Sequence, residues 1–595
     1  MSNINTKFLE GTGGIDPLKN PEGLWDLHTG EIKENPPGVI PHTYHASYTP
    51  VICDIPDPKI VISMSGQSSR FAAAGYTEPK FMIEVDGKKI IEHIVDLYPS
   101  DSDFLFIIND DHAQDIDLVE FLEDLPIDQV SIVSVPVHKK GPVYCIDYIQ
   151  DYIEDDTPVI FNYCDFSMDW DYQLFSDNNK LRWEDAELNR CEGADGVILC
   201  YTGFHPHMLI NTKYAYCKVD KTFGSKILEV KEKESFTKYP MAEYASAGTY
   251  YFKKGSYVKK YFKELIEKDI NIDGEYYVSL VYNLMIRDGL MCRVWECDRF
   301  LQWGTPLDLD IYRRWSDYYR RVIHGQKEVT IPNCVTAMPM AGEGMRFREA
   351  GYGPPKPFLC INDQYMVDLA LKCLPKTDEI ILAPLSKYKT LFGVTDEVDT
   401  GSTVWIDEVL PGQACTTEKI VEKVEPEKSI LVSACDNASF YDADRFVELV
   451  DDKDNDIIVW SYRNNYTTFN NANAYSWLDV NDEDIITNVS VKKFTGDNPL
   501  DKHAITGTMF FRNKDIYLNS LSKLYENNTR TNDEFYIDNL LNEAIKLGYI
   551  VRNFEIESYI CWGTPGDLET YRYWQEFFNK VKWHPYDYEK DYFTN

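Results

Sequence analysis

From residue 59 onward the chain alternates short apolar runs with stretches whose apolar residues recur at helical spacing. "KIVISM", starting at Lys59, reads as a buried strand, and "GKKIIEHIVDLY", starting at Gly87, reads as an amphipathic helix. "DFLFII" and "VSIVSVP" predict further strands, "PVYCIDYIQDYI" a helix from Pro142, and "TPVIFNY" a strand that runs into Asp165. A second series, "CVTAMP", "QYMVDLALKCL", "EIILAPL", "STVWIDEV", "EKIVEKV" and "SILVSAC", follows in the same order. Apolar strands alternating with helices predict an α/β class with mainly parallel sheets covered by helices. In such sheets ligands gather beyond the carboxyl ends of the strands.

The two series are copies of one another. "MSGQSSRFAAAGYTEPK" places Arg70, Gly75, Tyr76 and Lys80 in the register of Arg346, Gly351, Tyr352 and Lys356 in "MPMAGEGMRFREAGYGPPKPF", an offset of 276 (346 − 70). Further pairs keep their order as the offset drifts: Asp165 with Asp436 at 271, Gly248 with Gly507 at 259. "GEYYVSLVYNLMIRDG" pairs with "DEFYIDNLLNEAIKLG", and "FLQWGTPLDLDIYRRW" with "YICWGTPGDLETYRYW", also at 259. Collinear matches with small loop deletions mark a tandem duplication. The expected organisation is a Pro- and Gly-rich extension over 1–58, a first domain over 59–325 and a second over 326–595, joined near His324 to Glu328.

Composition narrows the function classes. A formal charge of −37 over 595 residues repels nucleic acid and anionic lipid, so neither is an expected partner. The opening residues lack an apolar leader and no stretch is long and apolar enough to span a bilayer, which leads to the expectation of a cytoplasmic protein. The fourteen cysteines are scattered without CxxC spacing, as buried reduced thiols would be, not a zinc site.

The chemistry concentrates at the loops after the strands. A small-residue turn is followed by an Arg and, ten residues on, by a Pro-Lys pair. Its backbone N–H groups can hold phosphate oxygens while Arg and Lys offset phosphoryl charge. This pattern resembles the signature of the sugar-phosphate nucleotidyltransferases, the nucleotide-sugar pyrophosphorylase-like family. The resemblance extends through most of both repeats and implies two tandem Rossmann-like domains of the glycosyltransferase-A type. It implies a reaction joining a nucleoside triphosphate to a sugar 1-phosphate, or a similar phosphorylated alcohol, with release of pyrophosphate. Carried onto this sequence, Ser65, Gly66, Gln67 and Ser68, and Ala341, Gly342, Glu343 and Gly344, would cradle phosphates. Arg70 and Arg346 would stabilise the triphosphate and leaving pyrophosphate, and Lys80 and Lys356 would bridge the reacting phosphates. Asp165 and Asp436 would hold Mg²⁺, Gly141 and Gly412 would contact the base, Lys233 and Lys493 the sugar phosphate, and Gly248 and Gly507 the sugar. Family members often form homo-oligomers, although a fused tandem can meet the same contact within one chain.

Two features depart from the family pattern. Ser68 stands where the second copy has Gly344, and Gln302 and Cys561 replace the Asp that usually supplies a second metal ligand. The metal is then held by one carboxylate with phosphates and water, or Asp298 or Glu555 reaches in, or a copy binds without turning over. The second copy is the better catalytic candidate; the first is active, regulatory or structural. Two rivals remain: a non-catalytic nucleotide-sugar-binding protein, and a glycosyltransferase using "DWD" at Asp169 and Asp171. Tyr276, Tyr277, Phe535 and Tyr536 are expected to face the core, and Trp303 and Trp562 to pack beneath the GTP turn.

Overall fold

The structure, a computed structural model, describes residues 48–52, 56–185, 190–192, 194–220, 225–391, 401–469 and 471–593. The chain divides into two compact units, Met1–Arg314 and Trp315–Asn595, so that residues 324–328 fall in the second. Of segment 1–58, residues 1–47 and 53–55 lie outside the described residues, and Tyr48–Ile52 is a strand paired antiparallel with Leu181–Asp185.

Each unit is built on a nine-stranded mixed sheet with a mainly parallel core. In the first, the order from one edge is Gln129–Val135, Asp103–Asn109, Lys59–Ser63, Val159–Tyr163, Tyr244–Phe252, Gly196–Tyr201 and Cys292–Glu296. Tyr216–Val219 also joins Tyr244–Phe252 and carries Ile227–Lys231. The second unit repeats this as Gly401–Thr403, Lys376–Pro384, Thr330–Met340, Ser429–Val432, His503–Phe511, Ile457–Tyr462 and Val551–Glu555, with Trp477–Val480 and Ile486–Ser490 as the side pair. The first four strands of each are parallel, and the long fifth strand enters antiparallel. Ile60 to Ile62 and Phe104 to Ile108 are fully buried, which is why these strands read as unbroken apolar runs.

The helix expected from Pro142 is broken into a 3-10 turn Pro142–Cys145, a short α-helix Ile146–Ile149 and a second 3-10 turn Gln150–Tyr152. Its start is constrained from outside, since Val143 N–H donates to the Tyr276 carbonyl at 3.3 Å. The described cysteines are free and, apart from Cys360 and Cys561, buried. Among the described residues no helix is long and apolar enough to cross a membrane.

Parallel strands place the site. In the first unit the chain leaves Lys59–Ser63, builds outward through Asp103–Asn109 and Gln129–Val135, then returns to lay Val159–Tyr163 on the other flank. That reversal is a topological switch point, where a crevice opens at the strand ends. Ser63 and Tyr163 face each other in register, so the loops that follow them start side by side. The second unit has the same reversal between Thr330–Met340 and Ser429–Val432.

Gly141 and Gly412 open the segments after the third strands, with φ of 79° and 127°. A Cβ at Gly412 would lie 2.5 Å from both N and O of Phe535, and one at Gly141 would lie 2.7 Å from the Tyr276 carbonyl oxygen. Gly66, by contrast, has open space where a Cβ would stand. Gly412→Ala is expected to cost the second unit at least ~2 kcal/mol from strain and clash, read as a melting midpoint roughly 4–8 °C lower. Gly66→Ala is expected to leave the midpoint of the first unit within about 2 °C of the parent.

Candidate functional site

In each unit the signature turn closes on a residue in the left-handed region, which then caps a short helix. Gly344 takes φ 61°, ψ 38° ahead of Met345–Glu349. Ser68 takes φ 52°, ψ 29° ahead of Ser69–Ala73, so the serine adopts the backbone shape of the glycine it replaces. Two compensations follow from the neighbouring lysine segment. Ser68 Oγ accepts a hydrogen bond from Lys80 N–H at 3.0 Å. At Gly344 a Cβ would instead press on Lys356 Cβ at 3.2 Å, which glycine avoids. Phe71 and Phe347 are buried and pack edge-on against Tyr76 and Tyr352, at 5.3 and 5.2 Å, which seats the short helices and leaves Arg70 and Arg346 exposed.

The Pro-Lys pair sets the reach of the cation. Pro79 and Pro355 hold φ of −59° and −61°, and Lys80 and Lys356 begin the 3-10 turns that follow. Lys80 Nζ then donates to Asp165 Oδ2 at 2.6 Å, and Lys356 Nζ to Asp436 Oδ2 at 2.7 Å. Burial alone would strip charge from both lysines, but the adjoining carboxylate outweighs it and their pKa values are raised. Each aspartate is tied in turn to the late WGT turn: Trp303 N–H donates to the Asp165 carbonyl at 2.9 Å, and Trp562 N–H to that of Asp436 at 2.8 Å. Both tryptophans are fully buried, as the sequence leads one to expect.

In the first unit these parts enclose a cavity of about 400 Å³. Ser65, Gly66, Gln67, Ser68, Arg70, Lys80, Gly141 and Asp165 all line it. So do Tyr163, Glu275, Tyr277, His138 and Lys139, which the sequence does not single out for binding; Tyr277 packs against the core, as expected, and also lines the cavity. Phe535 is buried, as expected. Lys233 stands beside this wall, 3.7 Å from Glu275 and over the Tyr277 ring at 4.7 Å. Gly248 lies against the Tyr163 ring.

The second unit brings together Ala341, Gly342, Glu343, Gly344, Arg346, Lys356 and Asp436 on the corresponding loops, with Glu343 3.2 Å from Lys387. The position that matches Lys233 is Lys492. Both carry positive φ, 59° and 50°, after the strands Ile227–Lys231 and Ile486–Ser490, and Lys492 lies over the Tyr536 ring at 5.6 Å. Lys493, one residue further, is exposed. The constant offset of 259 across this region (492 − 233) is the signal that identifies the match.

The strands Phe166–Asp169 and Arg299–Gln302 pair so that Gln302 sits opposite Phe166, next to Asp165. A Cβ at Gly304 would lie 2.6 Å from Gln302 Nε2 and 3.0 Å from Asp165 Oδ2; at Gly563 it would lie 3.2 Å from Cys561 Sγ and 2.9 Å from Asp436 Oδ2. Gln302 and Cys561 thus share the edge of the site with the strand-end acids. Burial pushes the Cys561 thiol up, so it stays protonated and is a poor ligand for a hard cation. Glu555 is committed elsewhere, paired with Arg463 through two hydrogen bonds of 2.9 and 2.8 Å. The acids that do meet Asp165 and Asp436 electrostatically are Asp308 and Asp567, whose carboxyls accept from the helix-capping hydroxyls of Thr305 and Thr564. Burial, opposed by the Thr305 hydrogen bond and reinforced by Asp165, pushes the Asp308 carboxyl up to about 6. Asp171 is used as a helix cap, accepting from Leu174 N–H at 2.8 Å. Among the described residues no group of three or more His, Cys, Asp or Glu is arranged to hold a metal.

No protein-family model matches the chain, and no curated protein does. Among solved structures it is similar to the nucleoside-diphosphate-sugar pyrophosphorylase from Vibrio cholerae RC9, at 21% identity over 43% of this chain and 99% of that one, with a TM-score of 0.35. It is also similar to the inositol-1-phosphate CTP transferase from T. maritima, at 17% identity over 43% of this chain and 99% of that one, with a TM-score of 0.34.

Proposed function

We propose that the chain is a sugar-phosphate nucleotidyltransferase, joining a nucleoside triphosphate to a sugar 1-phosphate or similar phosphorylated alcohol. The observation that carries this reading is the lysine–aspartate contact of 2.6 Å in one unit and 2.7 Å in the other, beside a left-handed turn that presents an exposed arginine. On this reading the turn's backbone N–H groups receive the triphosphate, and Arg70 or Arg346 offsets the charge of the leaving pyrophosphate. Lys80 or Lys356 steadies the α-phosphoryl group as the acceptor's phosphate oxygen attacks it. A new P–O bond forms at the α-phosphorus, the bond to the β-phosphate oxygen breaks, and pyrophosphate departs with that electron pair.

Mg²⁺ fits the donors present. It binds through one or two carboxylates, with water and substrate phosphates completing its shell, and needs no dedicated cage of protein ligands. Asp165 and Asp436 would hold it, and it would supply charge neutralisation on the phosphates. The second unit, with both glycines of its turn, is the better catalytic candidate.

The test is pyrophosphate release from the full chain with each of four nucleoside triphosphates, a panel of sugar 1-phosphates, and magnesium. Turnover is expected, and Lys356→Ala or Asp436→Ala should lower that of the second unit by about 100-fold or more in chains that still melt cooperatively. Retained turnover in both variants would remove that site. No turnover, together with clear thermal stabilisation by a nucleotide, would favour a binding protein.

The burial of Asp308 beside Asp165 gives a second expectation, for stability. Asp308 titrates near 6 when folded against an ordinary value of 3.8, so the folded state holds the proton more tightly across that interval. Its contribution to stability is therefore lost as pH rises from about 4 to about 6. Thermal melts of Asp308→Asn and parent, without metal, should diverge in the variant's favour across that window and run parallel above it. Curves parallel throughout would show that Asp308 has an ordinary pKa.

A further inference from the structure

The groups gathered around the lysine–aspartate contact are matched between the two units; the wall beside the mid-strand glycines is not. Gly248, with φ of 85°, lies within Tyr244–Phe252, and a Cβ there would touch Tyr163 Cδ2 at 3.1 Å and Phe166 Cε1 at 3.3 Å. Tyr163 lines the cavity alongside Lys80 and Asp165, and its ring packs edge-on against Tyr250 at 5.6 Å. At Gly507, with φ of 95°, a Cβ would meet only one atom within 4 Å, the Cβ of Ala434 at 3.1 Å. The offset of 271 that maps Asp165 onto Asp436 also maps Tyr163 onto Ala434 (434 − 163) and Phe166 onto Asn437 (437 − 166). Asn437 is drawn to the backbone, its Nδ2 donating to the Thr506 carbonyl at 3.2 Å. Two aromatic rings therefore stand in the first unit where the second has a methyl group and a small amide.

We propose that the two units take phosphorylated alcohols of different size: a glycerol-sized ester in the first, a hexose-sized ring in the second. Tyr163 and Ala434 are the specificity-determining positions. The inference rests on the nucleotidyltransferase reading above and adds to it a division of substrates. A ring wedged between Gly248 and Tyr250 cannot yield to a bulky acceptor without overpacking, whereas a methyl group leaves room for one. Size selection of this kind is worth about 10- to 200-fold in an enzyme pocket.

The test uses the full chain with one site silenced at a time: Lys356→Ala to leave the first unit, Lys80→Ala to leave the second. Pyrophosphate release is measured with glycerol 3-phosphate and glucose 1-phosphate, each with four nucleoside triphosphates and magnesium. The first unit should prefer glycerol 3-phosphate, and the second glucose 1-phosphate, by at least ~10-fold in kcat/KM. Adding Tyr163→Ala to the first should shift its ratio toward the hexose, and Ala434→Tyr should shift the second away from it. Ala434→Leu is a smaller intrusion that keeps the second arm open should the tyrosine prevent folding. Equal ratios in the two single-site chains, ratios unmoved by the exchanges, or a first unit silent toward both esters would overturn the size assignment. Absence of release from the parent chain with every pair would overturn the nucleotidyltransferase reading itself.

Discussion

Everything at the candidate site is organised around a lysine held against a strand-end aspartate. The two groups arrive from opposite flanks of the switch point, Lys80 and Lys356 from the loop after one strand and Asp165 and Asp436 from the end of its neighbour. Each partner keeps about a quarter or less of its side-chain surface exposed, so neither charge is left fully to water and each depends on the other. A pair in this condition is costly to break by removing one member and readily reorganised by a ligand that offers each a better partner. On the proposed reading a triphosphate with its cation does this, phosphate oxygens replacing carboxylate at the lysine and the metal replacing lysine at the carboxylate. In a chain carrying −37 formal charges, polyanion binding requires such cations to be fixed in place.

The surrounding structure acts to keep that pair in register. The buried tryptophan of each WGT turn donates its backbone N–H to the aspartate carbonyl, while the helix that follows reaches back to the signature segment. Arg313 Nη1 donates to Tyr76 Oη at 3.0 Å in the first unit, and Tyr352 Oη donates to Glu569 at 2.6 Å in the second. The same tyrosine is thus anchored by a donor in one copy and an acceptor in the other. Ser68 and Gly344 show the same freedom, one solving the left-handed turn with a side-chain hydrogen bond and the other with the absence of a side chain. What is retained is the position of the lysine.

Much of this was legible in the sequence because it was written twice. Apolar runs with both faces buried gave the central strands, and collinear offsets placed the Arg, Pro-Lys, Asp and WGT segments in the same order in each half. What the sequence leaves out has local causes. The family resemblance of "SVKK" does not tell its two lysines apart, and the turn after Ile486–Ser490 puts its left-handed residue at Lys492, not Lys493. Tyr277 packs against the core and also lines the cavity, a second role that residue type cannot show because a cavity wall is also largely apolar. Asp308 is hidden by its place in the first helical turn, accepting from the capping Thr305 hydroxyl, which explains the residue without reference to the acid it faces. Gly141 and Gly412 carry, besides any ligand contact, a packing requirement set by positive φ and the backbone pressed against them, which a linear sequence does not display.

The pattern of change between the copies is itself informative about what the fold constrains. Arg, Pro-Lys, the strand-end Asp and the WGT turn survive in both halves, and all of them either carry phosphate-compatible charge or hold something that does. The walls also change: His138 and Lys139, which line the first unit's cavity, become Val409 and Leu410, and Tyr163 becomes Ala434. A merely structural relic would be expected to lose its charged pair first, because a half-buried lysine and aspartate cost more to keep than apolar residues of similar volume. Keeping the pair while remodelling the walls is what two binding sites with a common phosphate chemistry and different companions would require.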